Sequence, residues 1–175
     1  MKGVMLWTGA GQIGMAIARR AGFGKKIVVG DRSRTNAHTI AKTMMDAGFD
    51  VTAVETDISS RESILSLTRE GQKYGEISML VNAAGVSPSQ APVASILKAD
   101  LYGAAVLLEE VGKVTAPGGA GVTISSHSGW RMPALTPEED ELLTGPQGTF
   151  ITGTDVLIDG GATASYFYGP LKPTT

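Results

Sequence analysis

"GVMLWTGAGQIG", residues 3–14, sets a short continuous apolar run against three closely spaced glycines. An apolar run of this kind, ended by glycine, fits a strand buried on both faces, as in a parallel sheet. Beyond it Ile13, Ala16, Ile17 and Ala21 recur at helical spacing until Gly22 and Gly24 stop the pattern. The order read is strand, glycine turn, helix. "KIVVGD" (26–31) is a second strand, and Ala37, Ile40, Ala41, Met44 and Met45 mark the helix after it. "VTAVETD" (51–57) is a third strand; Ser59 with Glu62 then forms a capping-box pair that opens a helix carrying Ile64, Leu67 and Thr68. "ISMLVNAAG" (77–85) is a fourth. A long amphipathic helix bears Val93, Ile96, Leu97, Leu101, Ala104, Leu108 and Val111, and "GVTISS" (121–126) is a fifth strand. Strands alternating with helices imply right-handed crossovers, and so a doubly wound α/β fold with helices on both faces of a parallel sheet.

After residue 126 the rhythm breaks. "RMPALTPEEDELLTG" holds one short helix, with Thr136 as N-cap, Pro137 in the first turn, Glu139 completing a capping box and Gly145 as the stop. "GTFITGTDVLIDGG" supplies a last strand around 150–158, which makes about six. The chain shows neither repeat nor linker, so 1–175 is expected to form a single dinucleotide-binding domain of the Rossmann type.

Composition narrows the function. Hydrophobic residues at 42%, charged residues at 18% and a net charge of −2 fit a soluble globular protein and give no electrostatic case for nucleic acid or an anionic membrane. The chain has no cysteine and two histidines, His38 and His127, so no metal site is expected. The N-terminal apolar run is too brief for a signal peptide, and no segment approaches the ~18 apolar residues of a membrane span, so a cytoplasmic location is expected.

"TGAGQIG" (8–14) places Gly9, Gly11 and Gly14 at G-x-G-x-x-G spacing between a strand and a helix. Glycines there let the backbone approach a pyrophosphate, held by amides at the helix N-terminus, where Gln12 and Ile13 lie. Asp31 ends the second strand, and a carboxylate at that point accepts the ribose hydroxyls and repels a 2′-phosphate. NAD is thereby favoured over NADP, although Arg32 and Arg34 pull the other way.

Five motifs in order, "TGAGQIG", "TDIS" around Asp57, "NAAG" (82–85), "GGAGVTISSHSG" (118–129) and "FITGTDVLIDGG" (150–161), resemble the short-chain dehydrogenase/reductase family over nearly the whole chain. The resemblance implies a sheet in the order 3-2-1-4-5 and onward, with the dinucleotide across the strand carboxyl ends. It places Asp57, with Ile58, at the adenine, and makes Asn82, Ala83, Ala84 and Gly85 the cofactor wall. Read locally, Asp57 instead caps the next helix, and 82–85 is a strand-ending turn.

The resemblance also implies hydride transfer between a nicotinamide and a small-molecule alcohol or carbonyl carbon. Ser126 matches the serine that orients the substrate oxygen, and Asp100 stands where the family has an asparagine of the water relay. A Tyr-x-x-x-Lys pair should follow Ser126, yet no tyrosine or lysine occurs between Ser126 and Phe150. A block carrying that helix is absent near Asp140 and Glu141. The chain does contain Tyr168 and Lys172 at this spacing, in "YGPLK", but Gly169 and Pro170 oppose the helix that would align them. His127 beside Ser126 points to the opposite face of an extended chain and so is poorly placed as its base.

Three readings result: an NAD-dependent oxidoreductase acting on a secondary alcohol or ketone; a protein that binds NAD or adenine nucleotides without efficient catalysis; and an interaction module that forms homo-oligomers through exposed apolar surface.

Overall fold

Alternate side chains of the first strand, Val4–Thr8 (β1), leave on opposite sides, and both sides are apolar. Met5 and Trp7 join Ile27, Val29 and Val81 in one buried cluster, closed by Ala18, Ala41 and Met44 from the first two helices. Val4 and Leu6 join Val28, Ile77 and Leu80 in the other, closed by Ile64, Leu67, Val106, Leu107 and Val111. A strand covered on both faces has no polar side, which is why the run is continuous rather than alternating. Each such side chain contributes about 1.5–3 kcal/mol through burial.

The computed structural model describes residues 3–126 and 136–138. After β1 come α1 (Gln12–Ala21), β2 (Lys26–Asp31), α2 (Arg34–Asp46), β3 (Asp50–Glu55), α3 (Arg61–Gln72) and β4 (Ile77–Asn82). A helical run follows: α4 (Val93–Ile96), a π-helical stretch (Leu97–Gly103) and α5 (Ala104–Gly112), then β5 (Thr115–Thr123). Among the described residues the sheet has five strands in the order β3-β2-β1-β4-β5, all parallel, as the family resemblance implied. Parallel strands bring the ends at Thr8, Asp31 and Asn82 to one edge.

Four local expectations are corrected. Ser60, not Ser59, caps α3, its hydroxyl accepting from the Ser63 amide at 3.4 Å. The third strand ends at Glu55, so Asp57 lies in the following turn. The fifth strand starts at Thr115, opposite Ile77; the register then shifts so that Met79 faces Ala120. The long amphipathic helix changes phase within the π-helical stretch, because a wider turn rotates the residues that follow it relative to those before. Gly103, Val106, Leu107, Glu110 and Val111 consequently face inward, while Val93, Leu97, Leu101 and Leu108 are exposed.

The nearly buried Glu110 is paired with Arg61 at the start of α3, and Arg61 also bonds Glu109 at 2.7 Å. Lys113 reaches both glutamates, at 2.7 and 3.1 Å, so the cluster ties α3 to α5. Hydrogen bonds from Arg61 and then Lys113 hold the Glu109 carboxyl down at about 2.

The chain divides into two units, Met1–Ile124 and Ser125–Thr175. In the second, Pro137 and Glu138 are helical directly after Thr136. His127, the junction near Asp140 and Glu141, the last strand near 150–158, Tyr168 and Lys172 lie outside the described residues. Among the described residues no helix is long and apolar enough to cross a membrane.

Candidate functional site

The glycine turn and the "NAAG" segment interlock at the carboxyl edge of the sheet. Gly9 has φ of +80°, and a Cβ there would lie 2.5 Å from the Ala83 carbonyl and the Ala84 nitrogen. Only glycine combines that backbone with that approach. Around this contact the Gly9 amide donates to the Gly30 carbonyl and the Ala83 amide to the Thr8 carbonyl, both at 2.9 Å. The Thr8 hydroxyl donates to Asn82 Oδ1 at 2.8 Å.

Gly11 and Gly14 have different reasons. A Cβ on Gly11 would meet nothing within 4 Å, so its surface is open to a ligand. A Cβ on Gly14 would overlap the indole of Trp7. The first bond into α1 runs from the Met15 amide to the Gly11 carbonyl at 3.0 Å, and Gly11 offers no capping side chain. Among the described residues the amides of Gln12, Ile13 and Gly14 are therefore unpartnered at a helix N-terminus, the arrangement that receives an anion. In contrast, α2 and α3 are capped by the hydroxyls of Ser33 and Ser60.

Asp31 is half-buried beside this turn. Its Oδ2 accepts from the Ala10 amide at 2.9 Å and its Oδ1 from the Ser33 amide at 2.8 Å. Asn36 donates to the Ala10 carbonyl at 3.1 Å and to Asp31 Oδ2 at 3.2 Å. Three donors thus occupy three of the carboxylate's roughly four acceptor positions, leaving room on Oδ1 for one hydroxyl. The structure makes Asp31 a loop anchor as well as a candidate ribose acceptor. Asn36 had no signal in the sequence beyond its place in the first turn of α2.

Asp57 accepts from the Ser59 amide at 2.9 Å and hydroxyl at 2.7 Å, both on Oδ1, and its own amide donates to the Ser63 hydroxyl at 2.9 Å. Among the described residues Oδ2 has no partner. Burial pushes its pKa up, but the two Ser59 bonds and the charges of Arg32 and Lys98 outweigh this, so the carboxyl stays below its usual range. Next to it, the buried Ile58 carbonyl sits where a Cβ on Gly103 would be, which lets the π-helical stretch close over the turn.

Asp100, on that stretch, accepts the Val86 amide on Oδ1 at 3.0 Å, and a Cβ on Gly85 would lie 3.4 Å from the same oxygen. It holds the loop after β4. One arc along the sheet edge thus joins Asp31, Ala10, Gly9, Ala83, Ala84, Gly85 and Asp100. Ser126 lies three residues beyond the end of β5, is exposed and belongs to the second unit. Trp7, Asn36, Lys98 and Gly103 escaped the sequence reading, because their roles depend on contacts across the fold.

A doubly wound parallel sheet with an uncapped glycine turn after its first strand defines a nucleotide-binding protein of the Rossmann class. The short chain dehydrogenase model matches residues 3–135, and the chain belongs to that family of oxidoreductases. Short-chain dehydrogenase/reductase bsc3 of Alternaria brassicicola is 36% identical over 129 residues, 74% of this chain and 47% of that protein. Cis-4-hydroxycyclohexanecarboxylate dehydrogenase of Sinomonas cyclohexanicum is 29% identical over 136 residues, covering 71% and 54%. The chain spans about half the length of these curated relatives. A short-chain dehydrogenase/reductase of Burkholderia phymatum, solved in complex with NAD, has the same fold, with a TM-score of 0.67 at 24% identity over 75% of this chain and 52% of that one.

Proposed function

We propose that this chain binds NAD across the carboxyl edge of its sheet and serves hydride transfer on a small-molecule secondary alcohol or ketone. The observation that carries the reading is the uncapped N-terminus of α1: among the described residues the Gln12, Ile13 and Gly14 amides have no partner, and a Cβ on the adjoining Gly11 would meet nothing within 4 Å. Gly9, Gly11, Gln12, Ile13 and Gly14 would hold the pyrophosphate, Asp31 and Arg32 the adenosine ribose, Asp57 and Ile58 the adenine, and Asn82 to Gly85 the wall. Bound there, NAD would supply a hydride acceptor for an alcohol carbon and, in its reduced form, a hydride donor for a ketone. By the family resemblance Ser126 would orient the substrate oxygen, and Asp100 would act by holding the Gly85–Val86 loop. The family membership and the hydroxy-acid named for the Sinomonas relative support an alcohol substrate.

A second reading rests on one feature of the sequence, the lack of tyrosine and lysine between Ser126 and Phe150. Without general acid–base help, turnover falls by roughly 10²–10⁴-fold, so in this reading the chain would bind NAD but turn over slowly. Titration calorimetry with NAD and ADP tests binding, and NADH absorbance with a panel of secondary alcohols tests turnover. Binding together with slow NADH formation is expected of hydride transfer, whereas binding with no measurable turnover favours the second reading. Absence of binding at millimolar nucleotide would overturn both readings.

Self-association is proposed through Val93, Leu97, Leu101 and Leu108, which are spaced four, four and seven residues apart and are 41–70% exposed. Large exposed apolar side chains, where they form a contiguous patch, mark interaction surfaces. Leu101→Glu is expected to shift the protein to monomer in sedimentation analysis. An unchanged mass distribution would remove this face from consideration.

A further inference from the structure

Trp7 is the one large aromatic in β1, and the strand pattern asks there only for bulk. Its indole does something more specific. Nε1 donates to the Gly9 carbonyl at 2.8 Å, an oxygen that also accepts the Gly11 amide at 2.8 Å. The Gly9 carbonyl and the Ala10 amide belong to one peptide unit, and the Ala10 amide is held from the other side by Asp31 Oδ2 at 2.9 Å. That peptide is therefore pinned at both ends, immediately after the residue with φ of +80°. Rotating it would break both bonds and leave the indole donor, which is buried, unpaired, a costly state. The third glycine has the same explanation: a Cβ on Gly14 would lie 2.7 Å from Trp7 Cε2 and closer still to Nε1.

We propose that Trp7 is a positioning residue for the dinucleotide: it fixes the Gly9–Ala10 peptide so that the Gln12, Ile13 and Gly14 amides stay presented to the pyrophosphate. This rests on the NAD-binding reading above. Trp7→Phe keeps an aromatic ring but removes the donor together with part of the buried bulk, so adenosine binding serves as the control for lost packing. Calorimetry should show ADP binding weakened by about fivefold, the worth of one ordinary hydrogen bond, with adenosine, measured by competition, changed less than twofold. A role in packing alone would leave ADP affinity unchanged or weaken both ligands alike, and either result overturns the proposal while sparing the NAD reading. Unmutated protein that binds neither ADP nor NAD overturns that reading and the proposal with it. The otherwise unaltered chain gives a second measurement that does not depend on Trp7→Phe folding. The indole ¹H–¹⁵N signal that survives Trp130→Phe should exchange slowly with solvent and shift on adding ADP; fast exchange, or no shift at saturating ADP, overturns the proposal.

Discussion

Gly9→Ala is expected to abolish measurable NAD binding and to lower the stability of the fold. Two costs add at this position. A left-handed backbone costs a non-glycine residue about 1–2 kcal/mol, and Gly9 has φ of +80°. The new methyl group would also stand 2.5 Å from the Ala83 carbonyl and the Ala84 nitrogen, which are backbone atoms and cannot turn aside. Relief requires β1 and β4 to part at their carboxyl ends, where Thr8 bonds Asn82 and Ala83 bonds Thr8. Overpacking of this kind typically adds a further 1–3 kcal/mol. Chemical denaturation would read the loss as about 2–5 kcal/mol, and NAD affinity should fall at least about 100-fold, or some 2.7 kcal/mol. Near-normal stability together with near-normal NAD binding would mean that the turn and the "NAAG" loop are not in contact.

Asp31→Ala is expected to weaken NAD binding by about 10–100-fold, because hydrogen bonds to a charged group are worth roughly 1.5–3 kcal/mol and two kinds are lost. One is the candidate bond to the ribose. The other is internal: the Ala10 and Ser33 amides lose their acceptor, and the Asn36 side chain keeps only its bond to the Ala10 carbonyl. The charge change separates the two dinucleotides. Removing the carboxylate leaves the exposed Arg32 beside the ribose position, so NADP should lose much less affinity than NAD, and the ratio of the two dissociation constants should move toward NADP. Equal losses for both would show that Asp31 acts only as a loop anchor.

The alternation of strands and helices was legible because hydrophobic periodicity is local; β2, read as 26–31, spans Lys26–Asp31. The glycine turn was legible for the same reason, since its three glycines lie within six residues of one another. The helix after β4 was misread because a π-helical stretch changes the period in mid-run, and no residue in "LKADLYG" announces it. The capping serine was misread by one position because Ser59 and Ser60 are chemically equivalent. Which of them caps α3 depends on where Asp57 draws the Ser59 hydroxyl.

The sequence by itself determined the order of elements, the parallel α/β class and the family, because each is written in short-range pattern. Only the tertiary structure decided what the motif residues do. It set Gly9 against Ala83, which lies 74 residues away, placed Trp7 and Asp31 at the two ends of one peptide unit, and spent most of the Asp31 carboxylate on the protein's own amides. These outcomes depend on the close packing of distant segments, where tenths of an ångström choose between a bond and a clash, and no local pattern carries that information.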